Sequence, residues 1–152
     1  MILSLAFFVL AIGGYSQQSQ REIELIQAAF GMEKAQIVMQ FVKPGDEYMQ
    51  QFEVLYNEYE TKRKELGKQS IELLNKYAEE WEGITNDQAN DLMEKILKLR
   101  ADREKLIETY YKKIKKETTP IIAMQFYQVE VYILAVIQAK LYDSIPFVGE
   151  QR

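Results

Sequence analysis

This sequence contains no cysteine and no histidine. The absence of cysteine excludes a disulfide framework, a thiolate metal site and a cysteine nucleophile. The absence of histidine removes the residue that most often serves as a general base and as a metal ligand. Glycine-rich phosphate loops and acidic calcium loops are missing as well. We therefore predict a protein with no enzymatic activity, no bound metal and no cofactor.

Glycine and proline are also scarce, with 7 and 3 copies in 152 residues. Apolar residues make up 47% of the chain and charged residues 28%, which excludes a disordered or collagen-like protein. The net charge of −4 argues against nucleic acid as a partner, because nucleic-acid binding requires concentrated positive charge. A chain of this length predicts a single domain.

An apolar segment opens the sequence, with no charged side chain over residues 2–15. This run is shorter than the about 20 residues of a spanning helix, and it matches the apolar part of a secretory signal. Gly14 and Ser16 supply the small side chains of a cleavage site. We therefore predict a signal peptide over residues 1–16, cleavage before Gln17, and export to the periplasm. The alternative is a buried amino-terminal helix.

The remainder of the chain, residues 17–152, reads as one all-helical domain. Apolar residues recur at helical spacing, and no alternation typical of strands competes with that pattern. The first helix carries its apolar residues at Ile23, Ile26, Phe30, Ile37 and Phe41. The pattern predicts four helices, over about 22–42, 46–82, 85–117 and 119–143.

Capping residues mark where these helices begin. Asp46 is a favourable N-cap for the second helix. Thr85 and Gln88 form a capping box at the start of the third helix, next to Ile84. Thr119 followed by Pro120 is typical of the start of a helix. At the first helical position a backbone N–H has no partner within the helix, so the missing N–H of proline costs nothing there.

The second and third helices form a predicted antiparallel hairpin with a coiled-coil seam. If the turn centres near residues 83 and 84, facing residues have numbers that add to about 167. Arg63 then comes level with Arg103 and Glu104, with Glu60 in reach. We interpret this level as an ionic layer that fixes the register, and an anion site is the alternative. We expect the first and fourth helices to cover the apolar surface that the hairpin exposes.

The fourth helix is apolar around nearly its whole circumference. Packing between the hairpin and the first helix accounts for part of this pattern, and a homodimer interface accounts for the rest. Insertion into a membrane is disfavoured, because Gln125, Gln128 and Glu130 would lie in the middle of the span. We therefore expect no integral membrane span after signal cleavage.

Short motifs connect the sequence to a known family. Ile84-Thr85-Asn86-Asp87-Gln88 is similar to the Leu-Thr-x-x-Gln motif of the Spy/CpxP-like exported helical proteins of the bacterial periplasm. The stretch from Phe52 to Glu60 resembles a segment of related bacterial proteins labelled sigma-factor sensors. The resemblance covers roughly residues 22–148. It implies a long helical hairpin and a role as a chaperone or a component of the envelope stress response.

The aromatic residues near one end of the hairpin suggest a binding face. Tyrosine offers a large amphipathic contact area at low entropic cost, which suits the binding of varied partners. The alternative for these residues is an ordinary hairpin core. The predicted polypeptide-binding residues are Tyr48, Phe52, Tyr56, Tyr59, Tyr110 and Tyr111.

The function predicted from the sequence is ATP-independent binding of unfolded or envelope polypeptides by an exported, chaperone-like protein. One alternative is a regulatory sensor with a single dedicated envelope partner. A structural dimeric spacer is another.

Overall fold

The computed structural model of the chain describes residues 33–143, 145 and 147–149, which form four α-helices and no strand. The predicted signal peptide and the predicted apolar residues Ile23, Ile26 and Phe30 lie outside these described residues. The prediction of an all-helical protein with a long hairpin is confirmed. The helices are α1 (Lys34–Phe41), α2 (Gly45–Glu80), α3 (Asn86–Glu117) and α4 (Pro120–Tyr142).

Helix α1 is shorter than the helix predicted over 22–42. Glu33 has an extended backbone (φ −70°, ψ 149°), and α1 begins at the next residue. The backbone N–H of Glu33 donates to the side chain of Gln36 at 3.3 Å, which satisfies a donor that the helix itself leaves without a partner. Ile37 is buried as predicted, whereas Phe41 is exposed. The prediction of one continuous first helix is therefore wrong at Glu33.

Helix α2 begins at Gly45, one residue earlier than predicted. Pro44 precedes it, and Gly45 has a φ of +68°, a conformation that side chains with a Cβ rarely adopt. Asp46 is therefore not the N-cap. It lies in the first turn beside Glu47, where negative charge complements the helix dipole.

The hairpin forms in the predicted register. Helix α2 is about 54 Å long and α3 about 48 Å, and a short 3₁₀ turn (Trp81–Gly83) follows the end of α2. Near this turn Lys76 lies 3.5 Å from Asp91, and their numbers add to 167. Near the other end the ring centroids of Tyr59 and Tyr110 are 5.5 Å apart, and their numbers add to 169.

The capping box of α3 forms as predicted. The Thr85 hydroxyl accepts from the Gln88 backbone N–H at 3.3 Å, and the Gln88 side chain accepts from the Thr85 N–H at 2.9 Å. Thr119 caps α4 by accepting from the Ile122 N–H at 3.2 Å, with Pro120 as the first helical residue. These local signals place helix ends within two residues of the prediction.

The core lies in one half of the bundle. In this proximal half α1 packs against α4, α4 packs against α3, and α3 packs against α2. The largest fully buried side chains, such as Phe52, Tyr59, Tyr110 and Phe126, are all here. In the distal half, which ends at the Trp81–Gly83 turn, the described helices are only α2, α3 and the end of α4. Distal residues such as Met93 and Leu97 are about half exposed.

Candidate functional site

Four charged side chains from three helices meet at the boundary between the two halves. The Lys34 ammonium of α1 lies 2.5 Å from Glu60 Oε1 of α2 and 2.5 Å from Glu130 Oε1 of α4. Arg63 Nε donates to Glu60 Oε1 at 2.7 Å. Lys34 and Glu130 are 8% and 2% exposed, so this ionic cluster is shielded from water. Two positive and two negative charges balance within it.

Two tyrosines complete the ionic cluster. The Tyr59 hydroxyl donates to Glu130 Oε2 at 2.7 Å, so both oxygens of this carboxylate accept a hydrogen bond. Lys34 Nζ donates to the Tyr56 hydroxyl at 3.4 Å. The ammonium also lies 5.3 Å from the centroids of both tyrosine rings, within the range of a cation–π interaction. Among the described residues, every buried side-chain polar atom has a hydrogen-bond partner.

The surroundings shift the pKa values of three members of the cluster. Burial alone would raise the pKa of the Glu60 carboxyl, but Lys34 and Arg63 together outweigh it, and the pKa lies below its ordinary 4.5. Its contribution to stability is therefore present above about pH 4.5 and is lost as the pH falls through the lowered pKa. Burial, followed by the nearby carboxylates, raises the pKa of Tyr56 and Tyr59 far above 10.0.

The ionic cluster forms the inner end of a groove in the distal half. This groove has a volume of about 700 Å³ and runs between the hairpin and the last turns of α4. On α2 its lining extends from Tyr59 to Tyr77, which corresponds to a length of about 27 Å. Its volume is in the range of about 300–1,000 Å³ that is usual for ligand sites.

The lining of the groove is apolar along its length and carries charged side chains at its inner end. Leucine and isoleucine side chains of α2, α3 and α4 form the walls. The charged side chains among the described lining residues are one carboxylate, Glu130, and four cations, Lys34, Arg63, Arg100 and Arg103. An occupant that is apolar along one side and carries negative charge at one end matches this distribution.

Most of the predicted binding residues do not lie on an exposed face. Phe52, Tyr56, Tyr59 and Tyr110 are at most 6% exposed and belong to the proximal core. The prediction that these four residues form an exposed binding face is therefore wrong, because α1 and α4 cover the side of the hairpin that carries them. Tyr48 and Tyr111 are half-buried at the margin of the same core.

The predicted ionic layer is present in part. The carboxylate of Glu60 pairs with Arg63 as expected, and Arg63 and Arg103 line the same groove. Glu104 is exposed, so the layer is completed by Glu130 and Lys34 in place of this residue. Ile84, next to the capping box, also lines the groove.

Sequence reasoning missed Lys34 and did not assign a partner to Glu130. A usable signal was present, because Glu130 is the one charged residue between Pro120 and Ala139. A carboxylate on such an apolar helix requires a buried cation or hydrogen-bond donors. The partner could not be named from the sequence, since Lys34 lies 96 residues away.

Comparison with known proteins leaves the chain without a relative to guide the assignment. No protein-family model matches the sequence, and no curated protein or solved structure matches it either. The similarity to Spy/CpxP-like proteins therefore rests on the short motifs alone.

One described helix, α4, is long and apolar enough to cross a membrane by length and composition. The core helix of a water-soluble protein meets the same criterion, and one face of α4 is buried against α1 and α3. Glu130 lies on that buried face and pairs with Lys34. The composition of α4 therefore does not by itself indicate a span.

Proposed function

We propose that this protein binds amphipathic helical segments of other polypeptides in the distal groove, without ATP and without chemistry on the bound chain. The observation that carries this proposal is the difference between the two halves of the bundle. The proximal half is closed by four described helices, whereas three surround the distal groove. A helix laid into this groove would bury apolar side chains as α1 does in the proximal half.

A helix suits the groove better than an extended segment does. The groove walls are helices, whose backbone N–H and C=O groups are already paired along the helix. An extended peptide would bring unpaired backbone groups against leucine and isoleucine side chains, at a cost of about 1–3 kcal/mol for each buried group. A helical occupant satisfies its own backbone. The length of the groove, about 27 Å, corresponds to about five helical turns.

Charge at the inner end specifies the occupant further. Outside the balanced ionic cluster, the charged residues of the described lining are Arg100 and Arg103, so an acidic residue at one end of the bound helix is favoured. A basic residue at the same position would approach these two cations and be repelled. The groove therefore favours acidic amphipathic segments over basic ones.

Export to the periplasm, and a place among chaperone-like proteins of the envelope stress response, remain part of the proposal. Their support is the apolar run over residues 2–15, which lies outside the described residues, and the Ile84–Gln88 motif. A protein that holds apolar segments without consuming ATP suits a compartment that lacks it.

The test is an aggregation assay with a matched pair of variants. Leu97 lines the groove and is 57% exposed, and Val54 is 54% exposed but lies outside the groove lining. Both are on helix surfaces, so Leu97→Glu and Val54→Glu are expected to leave the fold intact. The purified chain should suppress light scattering by a reduced, aggregating client at near-stoichiometric amounts. Leu97→Glu should weaken this suppression several-fold, whereas Val54→Glu should retain it.

A second measurement addresses the charge preference. Two labelled amphipathic peptides that differ only in one terminal Glu or Lys are titrated with the protein, and fluorescence anisotropy reports binding. The acidic peptide should bind several-fold more tightly at low salt, with the difference shrinking as salt is added. No suppression and no peptide binding would reject the proposal in favour of a sensor with one dedicated partner. Equal effects of the two Glu variants would reject the groove as the site.

A further inference from the structure

The outer face of α4 is apolar and exposed along its whole length. Ile121 is 71% exposed, Met124 56%, Val131 37%, Tyr132 55% and Tyr142 59%. At 100° per residue these positions lie on the side opposite the buried residues Phe126, Ile133 and Ile137. The face is therefore separate from the packing of α4 within the bundle, and Tyr142 is its one named residue that also lines the distal groove.

This outer face carries no charge over about 30 Å. Between Pro120 and Ala139 the one charged residue is Glu130, and its side chain is buried in the ionic cluster. Exposed helix faces of monomeric proteins normally carry charged residues, and a continuous apolar patch indicates an interaction surface.

The size of the face suits a protein interface. A fully exposed tyrosine side chain offers about 200 Å², so Tyr132 and Tyr142 together expose about 230 Å². Ile121, Met124 and Val131 add an area of comparable size. Two such faces in contact would bury on the order of 1,000 Å² or more, the lower limit for a specific interface.

The residues along the face are arranged to fit a second copy of the same helix in the antiparallel direction. Pairing α4 with itself so that residue numbers add to 263 places two long side chains of the first half against two alanines of the second half, and two tyrosines of the second half against aliphatic residues of the first. The facing pairs are then Ile121 with Tyr142, Met124 with Ala139, Gln128 with Ala135, and Val131 with Tyr132. Alternation of large and small side chains is what allows facing helices to interdigitate.

A lipid surface fits the face less well. Helices that lie on membranes carry lysine and arginine along their polar side to contact anionic head groups. Helix α4 contributes only Lys140. A second copy, by contrast, presents the same uncharged face.

We propose that α4 forms an isologous, antiparallel homodimer interface, with the two-fold axis near Val131 and Tyr132. Each copy contributes the same face, as two-fold symmetry requires. Apart from Tyr142, which also lines the distal groove, the facing residues of this interface lie outside the groove lining.

Single-cysteine cross-linking tests the proposed arrangement, because the natural chain has no cysteine to interfere. Val131→Cys lies beside the axis and should form a disulfide with its own copy under mild oxidation. Ile121→Cys alone should not, but a refolded mixture of Ile121→Cys and Tyr142→Cys should form a mixed disulfide. Val54→Cys, exposed on α2 away from the face, is the control and should stay reduced.

Molar mass in solution gives the second readout. Light scattering coupled to size-exclusion chromatography should give twice the 17.9 kDa of one chain. Tyr132→Glu places two carboxylates beside the axis and should yield a monomer with an unchanged helical circular dichroism spectrum, whereas Val54→Glu should stay dimeric. Association driven by another part of the chain would survive Tyr132→Glu and overturn the proposal.

Three other outcomes would also overturn the proposed interface. One is a monomer at every concentration of the unmodified chain. Another is self-cross-linking of Ile121→Cys, which would indicate parallel helices. A third is a monomer that co-sediments with anionic phospholipid vesicles and is released by Tyr132→Glu, which would assign the face to lipid.

Discussion

The ionic cluster at the centre of the bundle makes a sharp prediction about Lys34. Its ammonium is 8% exposed and lies between the carboxylates of Glu60 and Glu130. Lys34→Met keeps most of the apolar stem but removes the positive charge. Glu60 then retains Arg63, whereas Glu130 retains only the Tyr59 hydroxyl. One buried carboxylate is thus left without a positive charge beside it.

The expected cost follows from this uncompensated charge. Removing one partner of a buried ion pair typically destabilises a protein by about 3–5 kcal/mol. Domains of this size unfold with a free energy of about 5–15 kcal/mol, so the variant is expected to remain folded but to lose a large fraction of its stability. Lys34→Met with Glu130→Gln removes the unpaired charge while the amide oxygen can still accept from Tyr59. The double variant should therefore recover at least about 2 kcal/mol.

Urea unfolding at pH 7, followed by far-ultraviolet circular dichroism, measures these differences. The slope of free energy against urea should stay constant among the variants, so that midpoints report stability directly. A loss of less than about 1 kcal/mol for Lys34→Met would refute the reasoning, as would a double variant no more stable than the single one. Either result would mean that the three helices do not depend on Lys34 for charge balance.

Three further predictions concern single elements of the fold. The free energy of unfolding should fall above pH 10, by about 1.4 kcal/mol per pH unit for each of Tyr56 and Tyr59, because only the unfolded chain releases their protons there. Gly45→Ala should cost about 1–2 kcal/mol because Gly45 has a positive φ. Gly83→Ala, where φ is ordinary and a Cβ meets no atom within 4 Å, should change stability far less. Thr85→Ala should cost about 1 kcal/mol by removing the cap of α3. Urea midpoints check all three.

Each of these predictions has an outcome that contradicts it. Stability that stays constant from pH 9 to pH 11 would mean that the tyrosine hydroxyls are not buried as described. Equal effects of the two glycine substitutions would remove the role of the positive φ at Gly45. An unchanged midpoint for Thr85→Ala would show that water replaces the cap without cost.

Local features of the fold could be read from the sequence because local interactions cause them. The Thr85–Gln88 capping box and the Thr119–Pro120 start each involve residues within four positions of one another. The hairpin register followed from apolar spacing and one short turn. The start of α1 directly after Glu33 was missed, although it is also local, because the apolar spacing in the sequence runs from Ile23 to Phe41.

The tertiary structure alone decided which polar residues meet and which aromatic residues are covered. The sequence spacing places Tyr59 at a seam position of the hairpin, but this position is the same whether or not another helix covers that side of the hairpin. Its burial depends on α4 folding back over the hairpin, which no spacing within α2 reports. The partners Lys34 and Glu130 are likewise brought together by that packing.

The sequence by itself thus determined α2, α3 and α4, their ends to within two residues and the direction of the hairpin, because these follow from capping and periodicity within one or two elements. The closed proximal half, the ionic cluster and the open distal groove depend on how far each covering helix reaches along the hairpin. How far each covering helix extends depends on packing among residues that are distant in the chain. It could therefore be seen only in the tertiary structure.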